Sequence, residues 1–322
     1  MTLEKQIQNS IIQNFKTESG ALYASIPISY QLFGQPLHTA PIVLVNHALT
    51  GNAQVIGPNG WWNDLIGPEK TIDTEKYTIL AFNIPGNGYD GFLIENYTDF
   101  KARDIAKLFL EALKTLHIHT LHTIIGGSVG GGIAWEMAAL SPNLTKNLIP
   151  IATDWKSTDW LIANCYLQDQ ILSNSSKPIE DARIHAMMCY RTPESFKAKF
   201  NRTINDNSSV FNVESWLEHH GEKLKNRFQL SAYKLMNQLL KTIDITRNNT
   251  DFLTLIPKIK ANIHIIGINS DLFFIIDENK ATYNAIKPLK SNIYLKEIQS
   301  IHGHDAFLIE FEQLNTLLKD VF

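Results

Sequence analysis

One serine near the middle of the chain stands in a glycine-rich turn whose neighbours favour nucleophilic chemistry. Residues 126–130 read Gly-Gly-Ser-Val-Gly, after a strand-like run at 122–125 and before a helix-like run at 133–140. Glycine accommodates the strained, close-packed backbone of such a turn. The start of the following helix offers unpaired N–H groups and a positive dipole end. We therefore predict that Ser128 is a nucleophile; the alternative is a glycine-rich strand–helix turn without chemistry.

A serine hydroxyl needs a general base, and the base needs an orienting carboxylate. Asp271 directly follows a strand-like run at 263–268, and His304 lies between the last predicted strand and the last predicted helix. The order Ser, Asp, His is that of the α/β-hydrolase fold, in which a Gly-x-Ser-x-Gly turn carries the nucleophile. His302 shares the loop and is a rival base, but the loop geometry of this fold favours His304. Asp271 could otherwise be a loop carboxylate or a helix cap.

The oxyanion of the tetrahedral intermediate requires two N–H donors. Val129 follows the nucleophile and is the first predicted donor. The turn at 46–51, after the apolar strand at 42–45, should supply the second, and Leu49 is the predicted residue. His47 is predicted to be structural, with a hydrogen bond inside its own turn.

The elements around these residues predict an α/β fold with a mostly parallel central sheet. Continuous apolar runs at 41–45 and 77–82 are typical of buried strands. Residues 98–116 read as an amphipathic helix, and two β-like segments within 9–33 as an antiparallel pair at the sheet edge. The turns after these strands should meet at the carboxyl edge of the sheet, where active sites of such folds lie.

Strand patterns disappear between residues 155 and 254 and helical periodicity replaces them. The predicted organisation is therefore a first part of the hydrolase core at 1–154, a helical cap at 155–254 and a second part of the core at 255–322. A polar break is expected at 201–209. The predicted core then resumes with strands at 263–268 and 292–298, a helix at 275–286 and a closing helix at 305–318.

Composition excludes several classes of protein. The chain has 322 residues, of which 44% are hydrophobic and 19% charged, with a net charge of −3. A slightly negative net charge does not favour binding to nucleic acid or to an anionic membrane. The two cysteines do not suggest a disulfide framework, and no cluster has the spacing of a metal site. Without a secretory pattern at residues 1–8 or a membrane-length apolar run, the expected location is the cytoplasm.

Six segments together resemble the homoserine O-acetyltransferase family. They run in order and span nearly the whole chain. They are Asn46-His47-Ala48-Leu49-Thr50-Gly51, the stretch 60–74 beginning Gly60-Trp61-Trp62, Gly126 to Gly131, the cap stretch 217–233, Ile268 to Phe273, and Gly303-His304-Asp305-Ala306-Phe307-Leu308.

The resemblance implies an α/β-hydrolase-fold acyltransferase of methionine biosynthesis, usually a cytoplasmic homodimer. Such an enzyme moves an acyl group from acyl-coenzyme A to the hydroxyl of L-homoserine through an acyl-serine, with acyl-CoA as co-substrate and no other cofactor. The resemblance assigns Ser128, Asp271 and His304 to the catalytic triad. It also implies that Arg183 binds the carboxylate of the amino acid and that Asp305 binds its ammonium group.

One loop departs from the family pattern. Residues 83–97 form a shorter loop than in the family, without its Gly-Cys-type turn and its Gly-Pro-Ser-Ser run. This loop should border the acyl site, so acetyl and succinyl donors both stay open, as do homoserine and serine acceptors. An esterase of the same fold and a catalytically inactive binding protein are the other readings.

Overall fold

The computed structural model describes residues 7–205, 209–247 and 251–322. The first six residues, on which the expectation of no secretory leader partly rests, lie outside this range. So do residues 206–208 of the expected polar break and 248–250 of the expected cap. None of the helices in the described part of the chain combines the length and the apolar character that a membrane crossing requires.

An eight-stranded sheet forms the centre of the molecule, and a two-stranded parallel pair lies apart from it. The strand order of the eight-stranded sheet is β1-β2-β6-β3-β7-β8-β9-β10. The pairs β1–β2 and β2–β6 are antiparallel, and the other neighbours are parallel. Within the described ranges the strands are β1 (Gln8–Lys16), β2 (Leu22–Gly34), β3 (Ile42–Asn46), β4 (Ile66–Gly67), β5 (Ile72–Asp73), β6 (Thr78–Phe82), β7 (Leu121–Gly127), β8 (Thr145–Ile151), β9 (Asn262–Ile268) and β10 (Ile293–Ile298).

Helices cover both faces of the sheet. They are α1 (Ala102–Thr115), α2 (Val129–Leu140), α3 (Asp159–Asn174), α4 (Pro178–Tyr190), α5 (Pro193–Phe200), α6 (Asn212–Lys225), α7 (Leu230–Lys241), α8 (Phe252–Leu255), α9 (Ile276–Ile286) and α10 (Phe311–Leu318). Side chains alternate between the two faces along a strand. Accordingly, Leu44 of β3 joins one apolar core, and Val43 and Val45 join the other.

The helices α3 to α7 lie between β8 and β9 in the chain. An isolated antiparallel bridge pairs Lys156 with Asp244, so the two ends of this helical segment meet. The predicted boundary between residues 254 and 255 falls inside α8. The division into two core parts and a cap stays a prediction.

Two predicted helices differ from the observed elements. The helix expected from residue 98 begins only at Ala102, after a short 3₁₀ turn at Tyr97–Asp99, because the side chain of Asp104 accepts a hydrogen bond from Lys101 N–H (3.0 Å) and caps the helix there. The closing helix expected at 305–318 is a 3₁₀ helix at Gly303–Leu308, a break, and then α10. Gly303, at φ +66°, makes the turn that starts this 3₁₀ helix.

Candidate active site

Ser128 stands on a strained turn between β7 and α2. Its backbone has φ 56° and ψ −128°, a region that residues with a side chain rarely occupy. Its N–H donates to the carbonyl of Ile151 on the neighbouring strand β8 at 2.9 Å. The tertiary contacts on both sides of the turn hold this conformation, which directs the hydroxyl above the carboxyl edge of the sheet.

Close backbone approach explains the glycines at this turn. A Cβ on Gly126 would lie 2.5 Å from the carbonyl carbon of Gly130. A Cβ on Gly130 would collide with the carbonyl oxygens of Asn46 and His47. The start of α2 is therefore pressed directly against the turn that follows β3, and the side chain of Asn46 adds a hydrogen bond to the Gly130 carbonyl (3.2 Å).

A relay of three buried side chains forms at this edge of the sheet. The Nε2 of His304 lies 2.9 Å from the Oγ of Ser128, and its Nδ1 lies 2.7 Å from the Oδ2 of Asp271. Each of the three residues is at most 4% exposed. Both distances are within hydrogen-bonding range, so the arrangement can pass a proton from the serine to the imidazole.

Asp271 is held by its own loop. Its Oδ1 accepts hydrogen bonds from the N–H groups of Phe273 (2.7 Å) and Phe274 (2.9 Å), which leaves Oδ2 for the imidazole. The rings of both phenylalanines pack beside His304. The carboxylate and the imidazole are thus fixed by backbone donors and by aromatic contacts that exclude water.

The rival base His302 has a different partner. Its Nδ1 lies 3.1 Å from the Oγ of Ser195, at the start of α5. The nearby hydroxyl of Thr192 donates to the Ile301 carbonyl. His302 therefore joins the histidine loop to the helical segment, and the structure brings His304, not His302, to Ser128.

The two predicted oxyanion donors lie beside the serine. Val129 is the first residue of α2, and Leu49 lines the same cavity as Ser128. Neither N–H donates to an acceptor in the described part of the chain. His47 bonds beyond its own turn as well as within it, since its ring also accepts a hydrogen bond from Ile84 N–H.

Arg183 and Asp305 line the cavity that opens on Ser128 and His304. The cavity is small, about 70 Å³, and it is open to solvent at its mouth. Its walls combine apolar side chains with these charged groups, the lining residues being Ala48, Leu49, Thr50, Ser128, Arg183, Tyr190, His304, Asp305, Phe307 and Leu308. A cation and an anion thus face the same space as the nucleophile, which suits a small zwitterion.

Burial raises the pKa of the Asp305 carboxyl above its usual range. The positive charges of Arg183 and Arg191 counteract this effect, while the negative charge of Asp271 adds to it. The basic neighbours therefore limit the rise in the pKa of Asp305 that burial causes.

Tyr190 and Arg191 belong to this site, and the sequence reasoning missed both. The Tyr190 ring packs against His304, with 5.3 Å between the ring centroids. The guanidinium carbon of Arg183 also lies over the Tyr190 ring, 5.8 Å from the ring centroid. Arg191 ends α4 and lies 3.9 Å from Asp305. These residues follow Arg183 by seven and eight positions, two helical turns, so helical spacing was the signal that could have found them.

Comparison with known proteins agrees with this architecture. The family model for the α/β hydrolase fold matches residues 41–291. The chain is 32% identical to the homoserine O-acetyltransferase of Cyclobacterium marinum, an alignment that covers 95% of this chain and 92% of the relative. It is 31% identical to the homoserine O-acetyltransferase of Chloroherpeton thalassium, over 95% of this chain and 87% of the relative.

Solved structures show the same fold at lower identity. The homoserine O-acetyltransferase of Staphylococcus aureus superposes with a TM-score of 0.83 at 24% identity, covering 98% of this chain and 95% of that one. The esterase E22 superposes with a TM-score of 0.86 at 15% identity, covering 98% and 100%. The predicted α/β-hydrolase fold with a mostly parallel central sheet is confirmed. The chain belongs to the homoserine O-acetyltransferase family, a family of acyltransferase enzymes built on this fold.

Proposed function

We propose that this enzyme transfers an acetyl group from acetyl-coenzyme A to the hydroxyl of L-homoserine, through an acyl-Ser128 intermediate. The observation that carries the proposal is one cavity shared by the Ser128–His304–Asp271 relay and by the oppositely charged Arg183 and Asp305. The first set can form and break an acyl-serine. The second set matches the carboxylate and the ammonium of an amino acid.

In the first half-reaction, His304 takes the proton of Ser128 as the serine oxygen attacks the thioester carbonyl. The N–H groups of Leu49 and Val129 hold the oxyanion. When the tetrahedral intermediate collapses, the C–S bond breaks and the proton on His304 passes to the sulfur, so coenzyme A leaves as a thiol. Asp271 orients the imidazole and stabilises its positive charge, without itself taking the proton.

In the second half-reaction, the acceptor hydroxyl replaces the thiol. Arg183 binds the acceptor carboxylate through its planar guanidinium, and Asp305 binds the ammonium. His304 takes the hydroxyl proton, the acceptor oxygen attacks the acyl-serine, and Ser128 is regenerated with that proton. No bound cofactor is needed, because the acyl group arrives already activated as a thioester.

The names of the relatives support acetyl over succinyl and homoserine over serine, and with them a role in methionine biosynthesis in the cytoplasm.

A homodimer is part of the proposal. Three large apolar side chains of α3 are about half exposed, namely Trp160 (51%), Tyr166 (59%) and Leu167 (46%). Such side chains favour an interface with a second copy of the chain. Sedimentation of the parent and of a Tyr166→Glu variant tests this proposal, and we expect the variant to dissociate. A monomeric parent would refute the dimer.

The direct test measures product partition. The purified enzyme is given acetyl- or succinyl-coenzyme A with L-homoserine or L-serine, and free acid and O-acyl amino acid are quantified together. The expected result is O-acetylhomoserine as the main product, with no activity in Ser128→Ala. Free acetate without O-acyl product would show an esterase instead, and succinyl or serine preference would correct the donor or the acceptor.

A further inference from the structure

The peptide unit between Ala48 and Leu49 lies at the centre of the turn after β3. Its N–H belongs to Leu49, the proposed oxyanion donor, and its carbonyl belongs to Ala48. The peptide is trans, so the N–H and the carbonyl point in opposite directions. Whatever holds the Ala48 carbonyl therefore also sets the direction of the Leu49 N–H.

Two donors hold this carbonyl. The Nδ1 of His47 lies 2.7 Å from the Ala48 oxygen, and the N–H of Gly51 donates to the same oxygen at 2.9 Å. The turn lies outside the ladder of the sheet, because β3 ends at Asn46. These two hydrogen bonds orient the plane of the peptide.

The tautomer of His47 follows from its other nitrogen. Ile84 N–H donates to Nε2 at 3.0 Å, and the Asn87 amide nitrogen lies 3.3 Å from the same atom. A backbone N–H can only donate, so Nε2 is an acceptor and the proton of the neutral ring resides on Nδ1. The ring is 1% exposed, and burial lowers the pKa of His47 to about 4.

We propose that His47 is a positioning residue for acyl transfer: its Nδ1–H aligns and polarises the Ala48–Leu49 peptide so that the Leu49 N–H faces the oxyanion. Donation to a carbonyl makes the N–H of the same amide a stronger donor, because hydrogen bonds in a chain polarise one another. The inference rests on the proposed acyl-Ser128 step and is independent of the acceptor.

The loop after β6 anchors the imidazole. Asn83 is fully buried, and its side chain accepts from Ala53 N–H (2.8 Å) and donates to the Ser29 hydroxyl (2.9 Å). Asn87 lies 3.3 Å from both the Asn83 side chain and His47. Asn83 and Asn87 lie in the loop at 83–97, which departs from the family pattern. The residues that anchor His47 therefore belong to the segment in which this chain differs from the family.

Two substitutions of His47 test the hydrogen bonds of its two ring nitrogens separately. The amide of His47→Asn can occupy the place of Nδ1 and donate to Ala48, but it leaves the buried Ile84 N–H without an acceptor. The amide of His47→Gln reaches the place of Nε2 and can accept from Ile84, but it loses the donor to Ala48. His122→Gln, at the opposite edge of the sheet, is the matched control.

The experiment measures the rate of Ser128 acylation by 4-nitrophenyl acetate together with the melting temperature. We expect His47→Gln to acylate about 10- to 100-fold more slowly at an unchanged half-saturating ester concentration, because a misaligned oxyanion donor weakens only the transition state. His47→Asn should restore most of the rate while melting several degrees lower. A purely structural histidine would make rate and stability fall together.

Parent-like acylation by His47→Gln would overturn the proposal, as would equal rate losses in both variants that follow their melting temperatures. If the parent itself forms no acyl-Ser128, the proposed function fails instead, which is a different outcome. Should both variants fail to fold, ¹⁵N spectra of the parent still decide: a proton on Nε2 of His47 rather than on Nδ1 contradicts the inference.

Discussion

Arg191 and Asp305 form an ion pair between the end of α4 and the wall of the cavity, with 3.9 Å between the guanidinium Nη1 and the carboxylate Oδ2. Their side chains are 14% and 22% exposed. Asp305 reaches the cavity from the histidine loop, and Arg191 contacts Asp305 from the end of α4. The pair therefore joins the proposed ammonium site to the helical segment that carries Arg183.

Replacing Arg191 by Gln should shift the pH dependence of acceptor use. Arg191 helps to lower the pKa of Asp305, so its removal raises that pKa. Because only the ionised carboxylate attracts an ammonium, acceptor kcat/KM should start to fall at a higher pH as the solution is acidified. At pH 8 the loss should stay below about fivefold, since the pair is partly exposed. An acidic limb at the same pH as in the parent would show that Arg191 does not act on Asp305.

Arg183→Ala should impair the second half-reaction selectively. Loss of a charge-assisted contact to the acceptor carboxylate costs roughly 2–4 kcal/mol, or about 30- to 800-fold in acceptor kcat/KM. Arg183→Lys should also fail substantially, because an ammonium cannot reproduce the planar fork. The release of coenzyme A in a burst without acceptor should be nearly intact. Lys197→Ala, an exposed residue of α5, is the control, and unchanged acceptor kinetics in Arg183→Ala would refute the assignment.

Glu136→Gln should destabilise the fold strongly. The Glu136 carboxylate is fully buried on α2 and pairs with Arg103 (2.9 Å) and Arg247 (2.8 Å). Removing its charge leaves Glu18, 3.8 Å from Arg103 and 3.4 Å from Arg247, to balance two largely buried cations. We therefore expect a loss of about 3 kcal/mol in urea unfolding, the low end for a broken buried pair. The control Glu111→Gln breaks an exposed pair with Lys114 (2.8 Å) and should change stability by less than about 1 kcal/mol. Similar losses in both variants would contradict this view of the network.

Asp154 should make the protein less stable as the pH rises towards neutrality. Burial raises the pKa of this carboxyl from 3.8 to about 7, so the folded state binds the proton more tightly than the unfolded state. The resulting stability is complete below about pH 4 and is lost as the pH rises through about 7.

Asp154→Asn removes this titration, and its amide can still accept from Trp155 N–H and contact the Thr282 hydroxyl, as the carboxyl does. Between pH 5 and pH 8 the parent should lose about 2–3 kcal/mol more stability than the variant, since one pKa unit corresponds to about 1.4 kcal/mol. Urea unfolding of both proteins across this range is the measurement. Parallel pH curves would show that Asp154 keeps its ordinary pKa in the folded protein.

Much of the fold could be read from local pattern. The glycines around Ser128 and the apolar runs of β3, β6 and β9 predicted a strand–turn–helix and a parallel sheet, because these features depend on residues only a few positions apart. The order Ser128, Asp271, His304 followed from where loops meet strand ends. These are properties of the chain that need no knowledge of long-range packing.

Only the tertiary structure decided which of these residues meet. The loop geometry favoured His304 over His302 in the sequence, and the tertiary structure supplies the physical reason. Ser195, more than a hundred residues away, bonds His302, whereas Asp271 and Ser128 bond His304. Tyr190 and Arg191 read as ordinary residues at a helix end until the packing of α4 on the histidine loop brings Tyr190 to His304 and Arg191 to Asp305. The closing helix likewise divides into a 3₁₀ helix that carries His304 and the separate α10. Such contacts depend on the packing of distant segments, which periodicity and local preference do not encode.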